Sequence, residues 1–138
     1  MAVEFSFEIA TAEPTTKIWA WAAAVGSMAP GWLDVGAKIP SDRDPIWIDF
    51  GIRSTVWVQF ALSGDHIAEQ HNTMTRIVSD LLRRTTGDAI LHHQYDDIWL
   101  IRRVGSLVVS NRGDAWTPLR LAALPEPYSR APLHFSED

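Results

Sequence analysis

The sequence has no cysteine in its 138 residues, which removes thiol nucleophiles, Cys-containing zinc sites and every disulfide framework. It also lacks a long apolar run. The longest, Ile18 to Val25, falls far short of the roughly 20 residues that cross a bilayer. Met1 to Ala10 has no basic start leading into an apolar stretch, so no secretory signal is expected. Gly-x-Ser-x-Gly, Gly-x-Gly-x-x-Gly and phosphate-loop patterns are missing, which withdraws support from a serine nucleophile on a sharp turn and from nucleotide binding. Positive charge is short too: 12 Lys+Arg against 17 Asp+Glu leaves −5, a balance that counts against nucleic acid and anionic membrane as partners. Arg83-Arg84 and Arg102-Arg103 are isolated doublets, too few for a nucleic-acid track. The expectation is a cytoplasmic protein with no cofactor and no metal.

What the chain does have is tryptophan, seven of them (19, 21, 32, 47, 57, 99 and 116). The length predicts one α+β domain over residues 1–138, able to bury about two-thirds of its unfolded surface without a staple. Val3, Phe5, Phe7 and Ile9 alternate with Glu4, Ser6 and Glu8, the period of a half-buried strand. A helix follows from Pro14, with Ile18, Trp21, Ala22 and Val25 on one stripe and Gly26 as its stop. Residues 27–45 read as an irregular loop with at most a short strand near Val35. Ile46–Phe50 and Thr55–Phe60 read as two strands joined by a hairpin at Gly51–Ser54. Ser63-Gly64-Asp65 opens a second helix, with Asp65 as cap and Arg83-Arg84 at the end that favours cations. Asp88–Gln94, Ile98–Arg102 and Ser106–Ser110 form a three-stranded meander. Residues 111–138 read as a proline-rich tail over the surface. The predicted order is β-α-β-β-α-β-β-β, a largely antiparallel sheet with both helices on one face.

Parity then sorts side chains onto faces. The aliphatic sets face the helices. Trp47 and Trp57 are left on the other face with Glu4, Glu8, Asp49, Thr55 and Gln59, while Trp99 lies in a strand apolar on both sides, where parity decides little. Two readings stand at this point. Either this face is open and serves as a binding surface, since exposed aromatic patches mark interaction sites, or the loop and tail fold over it and bury the rings.

No catalytic constellation emerges. His66 and His71 are about 140° apart around a helix axis, His92 and His93 are strand neighbours on opposite faces, and His134 lies in the tail. Ser63-Gly64-Asp65-His66 holds triad residue types, but adjacent side chains at a helix start cannot converge on one substrate. Asp96-Asp97 suits a hairpin turn, and Asp42-Arg43-Asp44 lies in a loop.

Ile77–Leu91, with its Gly87-Asp88-Ala89 turn, followed by Trp99-Leu-Ile-Arg-Arg103, Gly105–Asn111, Trp116, Leu124-Pro-Glu-Pro-Tyr128 and Pro132-Leu133, is similar to the Sit-type immunity family. These are small proteins found beside polymorphic toxins in myxobacteria and other high-GC bacteria. The opening Val3–Thr11 also resembles that family's first strand, whereas His92-His93 after Leu91 departs from its usual aliphatic strand. The resemblance implies a non-enzymatic protein that neutralises a cognate toxin by direct contact, and it hands over no catalytic residues. The expected contact residues, read from parity, are Glu4, Glu8, Trp47, Asp49, Trp57 and Gln59. The alternatives are a small hydrolase or lyase built around Asp42 and Asp44, and a structural homo-oligomer, in its simplest form a homodimer, pairing through the open sheet face.

Overall fold

In β1 (Val3–Ile9) the alternation of the sequence becomes the alternation of the sheet. The structure, a computed structural model that describes residues 3–28, 30–112 and 114–135, continues with α1 (Thr15–Val25), β2 (Leu33–Ala37), α2 (Pro45–Phe50), β3 (Val56–Leu62), α3 (Ile67–Arg84), β4 (Ala89–His93), β5 (Asp97–Arg103), β6 (Ser106–Ser110), α4 (Pro118–Ala123) and β7 (Tyr128–Ala131). The strands form one sheet in the order β2-β3-β1-β4-β5-β6-β7. Every pairing is antiparallel except the last, β6 with β7. The expected α+β class with a largely antiparallel sheet is what the chain adopts.

One face buries the main core. Phe5, Phe7 and Ile9 of β1 meet Val56, Val58 and Phe60 of β3 and Leu91 of β4, and all pack against Ile18 and Ala22 of α1 and Met74, Ile77, Val78 and Leu81 of α3. At about 25 cal/mol per Å² of apolar area, this face holds most of the hydrophobic stabilisation. The opposite face is divided. Over β4, β5 and β6 a second cluster joins Ile90, Ile98 and Ile101 to Ile46 and Phe50 of α2, to Ile52, and to Leu133 and Phe135. Over β2, β3 and β1 the same face carries half-buried Trp57 and Gln59 beside exposed Glu4 and Asp34. Among the described residues this face is therefore covered on one half and open on the other.

Several sequence expectations need correction. Ile46–Phe50 is a helix, not a strand, and no hairpin spans Gly51–Ser54: Asp44 Oδ1 accepts from the Ile46 amide at 3.1 Å, Pro45 occupies the first helical position, and Gly51 ends the helix at φ +69°. Trp47 and Asp49 therefore lie on α2 and not on the sheet. The strand foreseen near Val35 is present as β2, at the edge of the sheet and paired along its length with β3. Trp99 points to the main core. Leu91 pairs with Leu100 but His92 pairs with Ile98, so Trp99 is the extra residue of a β-bulge and packs 4.9 Å from Phe5 and 5.9 Å from Trp116. The segment read as a surface tail contributes α4, capped by Thr117 at Arg120, and β7, an edge strand of the sheet. Asp65 does not cap α3. Gln70 instead bonds back to both backbone groups of Ser63.

The Gly87-Asp88-Ala89 turn has a physical explanation. The Ala10 amide donates to the Asp88 carbonyl at 2.8 Å, the Asp88 carboxylate accepts from the Val104 amide at 2.8 Å, and Ala89 is fully buried. Buried Arg102 satisfies the end of α3, donating to the carbonyls of Leu82 (2.7 Å) and Gly87 (2.9 Å) and to the Thr85 hydroxyl (2.9 Å), where unpaired helix carbonyls collect. A Cβ on Gly87 would land on the Ala10 carbonyl oxygen, and one on Gly36 would land on the Trp57 ring. Gly87→Ala is expected to lower stability by about 3 kcal/mol, because backbone must move, and Gly36→Ala by about 1–2 kcal/mol, because a ring can shift. Urea unfolding checks both, and equal losses would contradict this account.

Candidate functional site

The back face over β1, β2 and β3 is organised by one carboxylate. Glu8, at the centre of that face in β1, is opposite Trp57 of β3 and Ile90 of β4 and only 2% exposed. Its Oε1 accepts from the Ser54 hydroxyl at 3.0 Å and from Lys38 Nζ, and its Oε2 lies 3.0 Å from His92 Nε2. Lys38 continues to Asp44 Oδ2 at 2.6 Å, while the other oxygen of Asp44 caps α2. His92 Nδ1 accepts from the Tyr95 amide at 3.1 Å, so the neutral ring keeps its proton on Nε2 and donates it to Glu8. Burial by itself would raise the Glu8 pKa, but the hydrogen bonds from His92 and Lys38, with the Lys38 charge, hold it below the ordinary carboxylate value. Burial likewise opposes the charge on Lys38, and the carboxylates of Asp44 and Glu8 overcome it and raise its pKa.

Above this cluster lies a cavity of about 210 Å³ lined by Ser6, Glu8, Lys38, Trp57, Gln59 and Tyr95. Trp57 gets there because Gly36, directly opposite on β2, leaves room for its ring. Tyr95 gets there through the β4–β5 turn, where Gln94 and Tyr95 have φ of +53° and +56° and the Asp96 amide closes back on the His93 carbonyl at 3.0 Å. Such turns ordinarily use Asn-Gly. The Tyr95 ring lies 4.5 Å from that of His92.

Of the residues expected from the sequence, Glu8, Trp57 and Gln59 meet in this cavity. Glu4 shares their face but is exposed, opposite Ala61 toward the far end of β1. Trp47 and half-buried Asp49 sit on α2, with the Arg53 guanidinium stacked 3.5 Å over the Trp47 ring. Sequence patterning did not bring out Lys38, Ser54, His92 or Tyr95. The one local signal was His92-His93 at the end of an aliphatic strand. Asp42 and Asp44, the centre of the hydrolase alternative, have separate attachments: Asp42 pairs with Arg53 at 3.2 Å, and Asp44 is committed to Lys38 and α2. Among the described residues no three His, Asp or Glu side chains gather as a metal-binding group, and no helix is long and apolar enough to cross a membrane.

Two other places hold buried polar groups. A larger cavity, about 590 Å³, lies between α3 and α4, but its buried Arg120 is spent on Asn72 and on the carbonyls of Ala115 and Ala68, which fastens the two helices together. His71 sits among Phe5 and Trp99 at 5.4 and 5.3 Å, and its buried Nε2 has no hydrogen-bond partner among the described residues. Burial, then the charges of Arg120 and His93, push its pKa down to about 4. It is a neutral core ring at ordinary pH.

Acid should therefore act in two stages. The unfolded chain binds a proton at His71 near the ordinary imidazole value of 6.5, whereas the folded chain refuses it until about 4, so stability falls as pH drops through that window. Glu8 has a lowered folded pKa, so its contribution is complete above about 4.5 and is lost as pH falls through the folded value. Thermal melts against pH should lose the first stage in His71→Gln. Glu8→Gln should lose the second and, by breaking the buried ion pair with Lys38 and disturbing the bonds to Ser54 and His92, cost about 3 kcal/mol at neutral pH.

Comparison with known proteins agrees with the resemblance read from the sequence. No curated protein and no solved structure gives a significant match. One family's sequence model, described as SitI3-like, matches residues 3–120, which takes in every strand but β7 and the whole of the Glu8 cluster. The chain belongs to the SitI3-like family.

Proposed function

We propose that the protein is an immunity protein that acts without catalysis, neutralising a cognate bacterial toxin in the producing cell's cytoplasm by direct contact through the uncovered part of the back face. Family membership carries the first half of this reading. The second half rests on the surface itself: a half-exposed Trp57 and Gln59 ringed by Glu4 and Asp34, which is the combination of an aromatic anchor and a charged rim used by protein interfaces. The buried polar groups favour recognition over chemistry, because Glu8, Lys38, Asp44, Ser54 and His92 are each engaged in holding segments together. An acidic inhibitor is drawn toward a basic partner before contact. A homodimer through the same face would set its carboxylates against their copies, which repel.

Co-expression with the proteins encoded beside it tests the reading. One of them should form a 1:1 complex by light scattering, and its toxicity should be relieved. Gln59→Ala should weaken that complex by about tenfold and leave the melting temperature unchanged. Absence of any complex or rescue would overturn the reading, and a light-scattering mass of twice the chain alone would favour the homodimer.

A further inference from the structure

The uncovered part of the back face is acidic and aromatic at once. From β1, β2 and β3 it presents Glu4, Glu8 and Asp34, with no lysine or arginine from these strands on the same side. In the cluster beneath the cavity, Glu8 and Asp44 set two negative charges against the single positive charge of Lys38, and the His92 ring, whose Nδ1 accepts from the Tyr95 amide, is in its neutral Nε2–H form. The cluster therefore carries one uncompensated negative charge. Lys38 is already held by two carboxylates and is not free to receive an anion.

Two rings stand over that charge. Trp57 rests on Gly36, and Tyr95 is 48% exposed in a left-handed conformation that non-glycine residues adopt rarely and at some cost. The Tyr95 amide bond to His92 fixes that geometry, so the strain serves to keep the phenol beside the carboxylate. The local potential at the phenol agrees: burial raises the Tyr95 pKa, and Glu8 and Asp44 push it the same way against Lys38. Elsewhere the chain shows its tryptophans accepting cations, with Arg53 stacked on Trp47 and both Arg84 and Lys17 at 5.1 Å from Trp21.

We propose that this cavity is the seat of one arginine side chain presented by the partner protein. Its guanidinium lies against the Trp57 and Tyr95 rings and donates to Gln59 and Ser6, and its charge answers the surplus of the Glu8–Asp44–Lys38 cluster. Arginine fits better than lysine because its planar, weakly hydrated head stacks on aromatic rings and offers five donors in a fixed fork. That the arginine belongs to a toxin rests on the neutralisation reading. That the cavity takes a guanidinium does not.

N-acetyl-arginine amide, titrated into isotope-labelled protein and followed by NMR, tests the seat. Saturable shifts are expected at the Gln59 side-chain amide and the Trp57 indole, weakening as salt rises. N-acetyl-norleucine amide, with a similar stem and no charge, should give none, and N-acetyl-lysine amide should bind more weakly. Tyr95→Asn, which tolerates the left-handed turn, and Trp57→Leu should each reduce affinity about tenfold, the size of one partly desolvated cation–π contact. Unchanged melting temperatures show that the variants fold. Should Trp57→Leu fail to fold, Tyr95→Asn decides. The seat is excluded if the arginine amide gives no saturable shift, if norleucine amide shifts the same signals equally, or if Tyr95→Asn binds as the wild type does. A toxin complex that survives both variants undiminished would exclude a toxin arginine as the occupant while leaving neutralisation standing. An arginine amide that binds, with no partner among the neighbouring products, would uphold the seat and overturn the toxin reading.

Discussion

A charged carboxylate with 2% of its surface in water has to be satisfied by the protein, and the arrangement of the back face follows from how Glu8 meets that requirement. An isolated ion there would cost several kcal/mol. The four groups that answer it come from positions 38, 54 and 92 directly and from position 44 at one remove. Lys38 cannot reach Glu8 unless β2 ends beside β3, and Asp44 cannot hold Lys38 unless α2 starts where it does. Once α2 is placed, Ile46 and Phe50 cover the strands from β4 onward. Among the described residues no helix covers this face of the strands before β4, and the cavity lies there, between the strands, Lys38 and Tyr95.

The two halves of that face thus solve the same problem by opposite means. Over β4, β5 and β6, isoleucines are buried under α2 and the C-terminal segment, which stabilises through area. Over β1, burial is achieved with an ion-pair network, which contributes little net stability compared with apolar residues of similar volume but is severely damaged by loss of one partner. Such a network fixes geometry. It holds Tyr95 in a turn that its sequence does not favour and keeps a surplus charge at a defined place, both of which a binding surface needs and a core does not.

The elements that were legible are those whose pattern is long or strictly periodic: the alternation of β1, the apolar stripe of α3, and the meander whose breaks fall at turn residues. Short helices were missed although their punctuation was present. Asp44-Pro45 before Ile46 and Gly51 after Phe50 is a cap, a first-turn proline and a left-handed stop, and Thr117-Pro118 repeats the device at α4. The alternation of Ile46, Ile48 and Phe50 imitates a strand because a six-residue helix is too short to show its own period. Trp99 was illegible for another reason, since a bulge breaks parity without any residue type to announce it. Of the site, parity brought Glu8, Trp57 and Gln59 together correctly. Lys38, Ser54 and His92 join them only through tertiary contacts 30, 46 and 84 residues distant in sequence, which no local pattern encodes.

The same division separates what the fold requires from what recognition can alter. Substitution at Glu8 or Lys38 breaks a buried ion pair and threatens the sheet, whereas Glu4 and Asp34 are exposed and exchange there ordinarily changes stability by less than about 0.5 kcal/mol. A surface built in this way has a rigid charged floor and a rim that is free to change. On the proposed arginine seat, different partners are discriminated by rim residues alone, each still anchored over the same carboxylate, because specificity is a difference of affinities and the repulsive contacts that create it need only sit at the edge. On the neutralisation reading, which asks the protein to answer one partner and ignore that partner's relatives, the separation lets recognition diverge without refolding the scaffold.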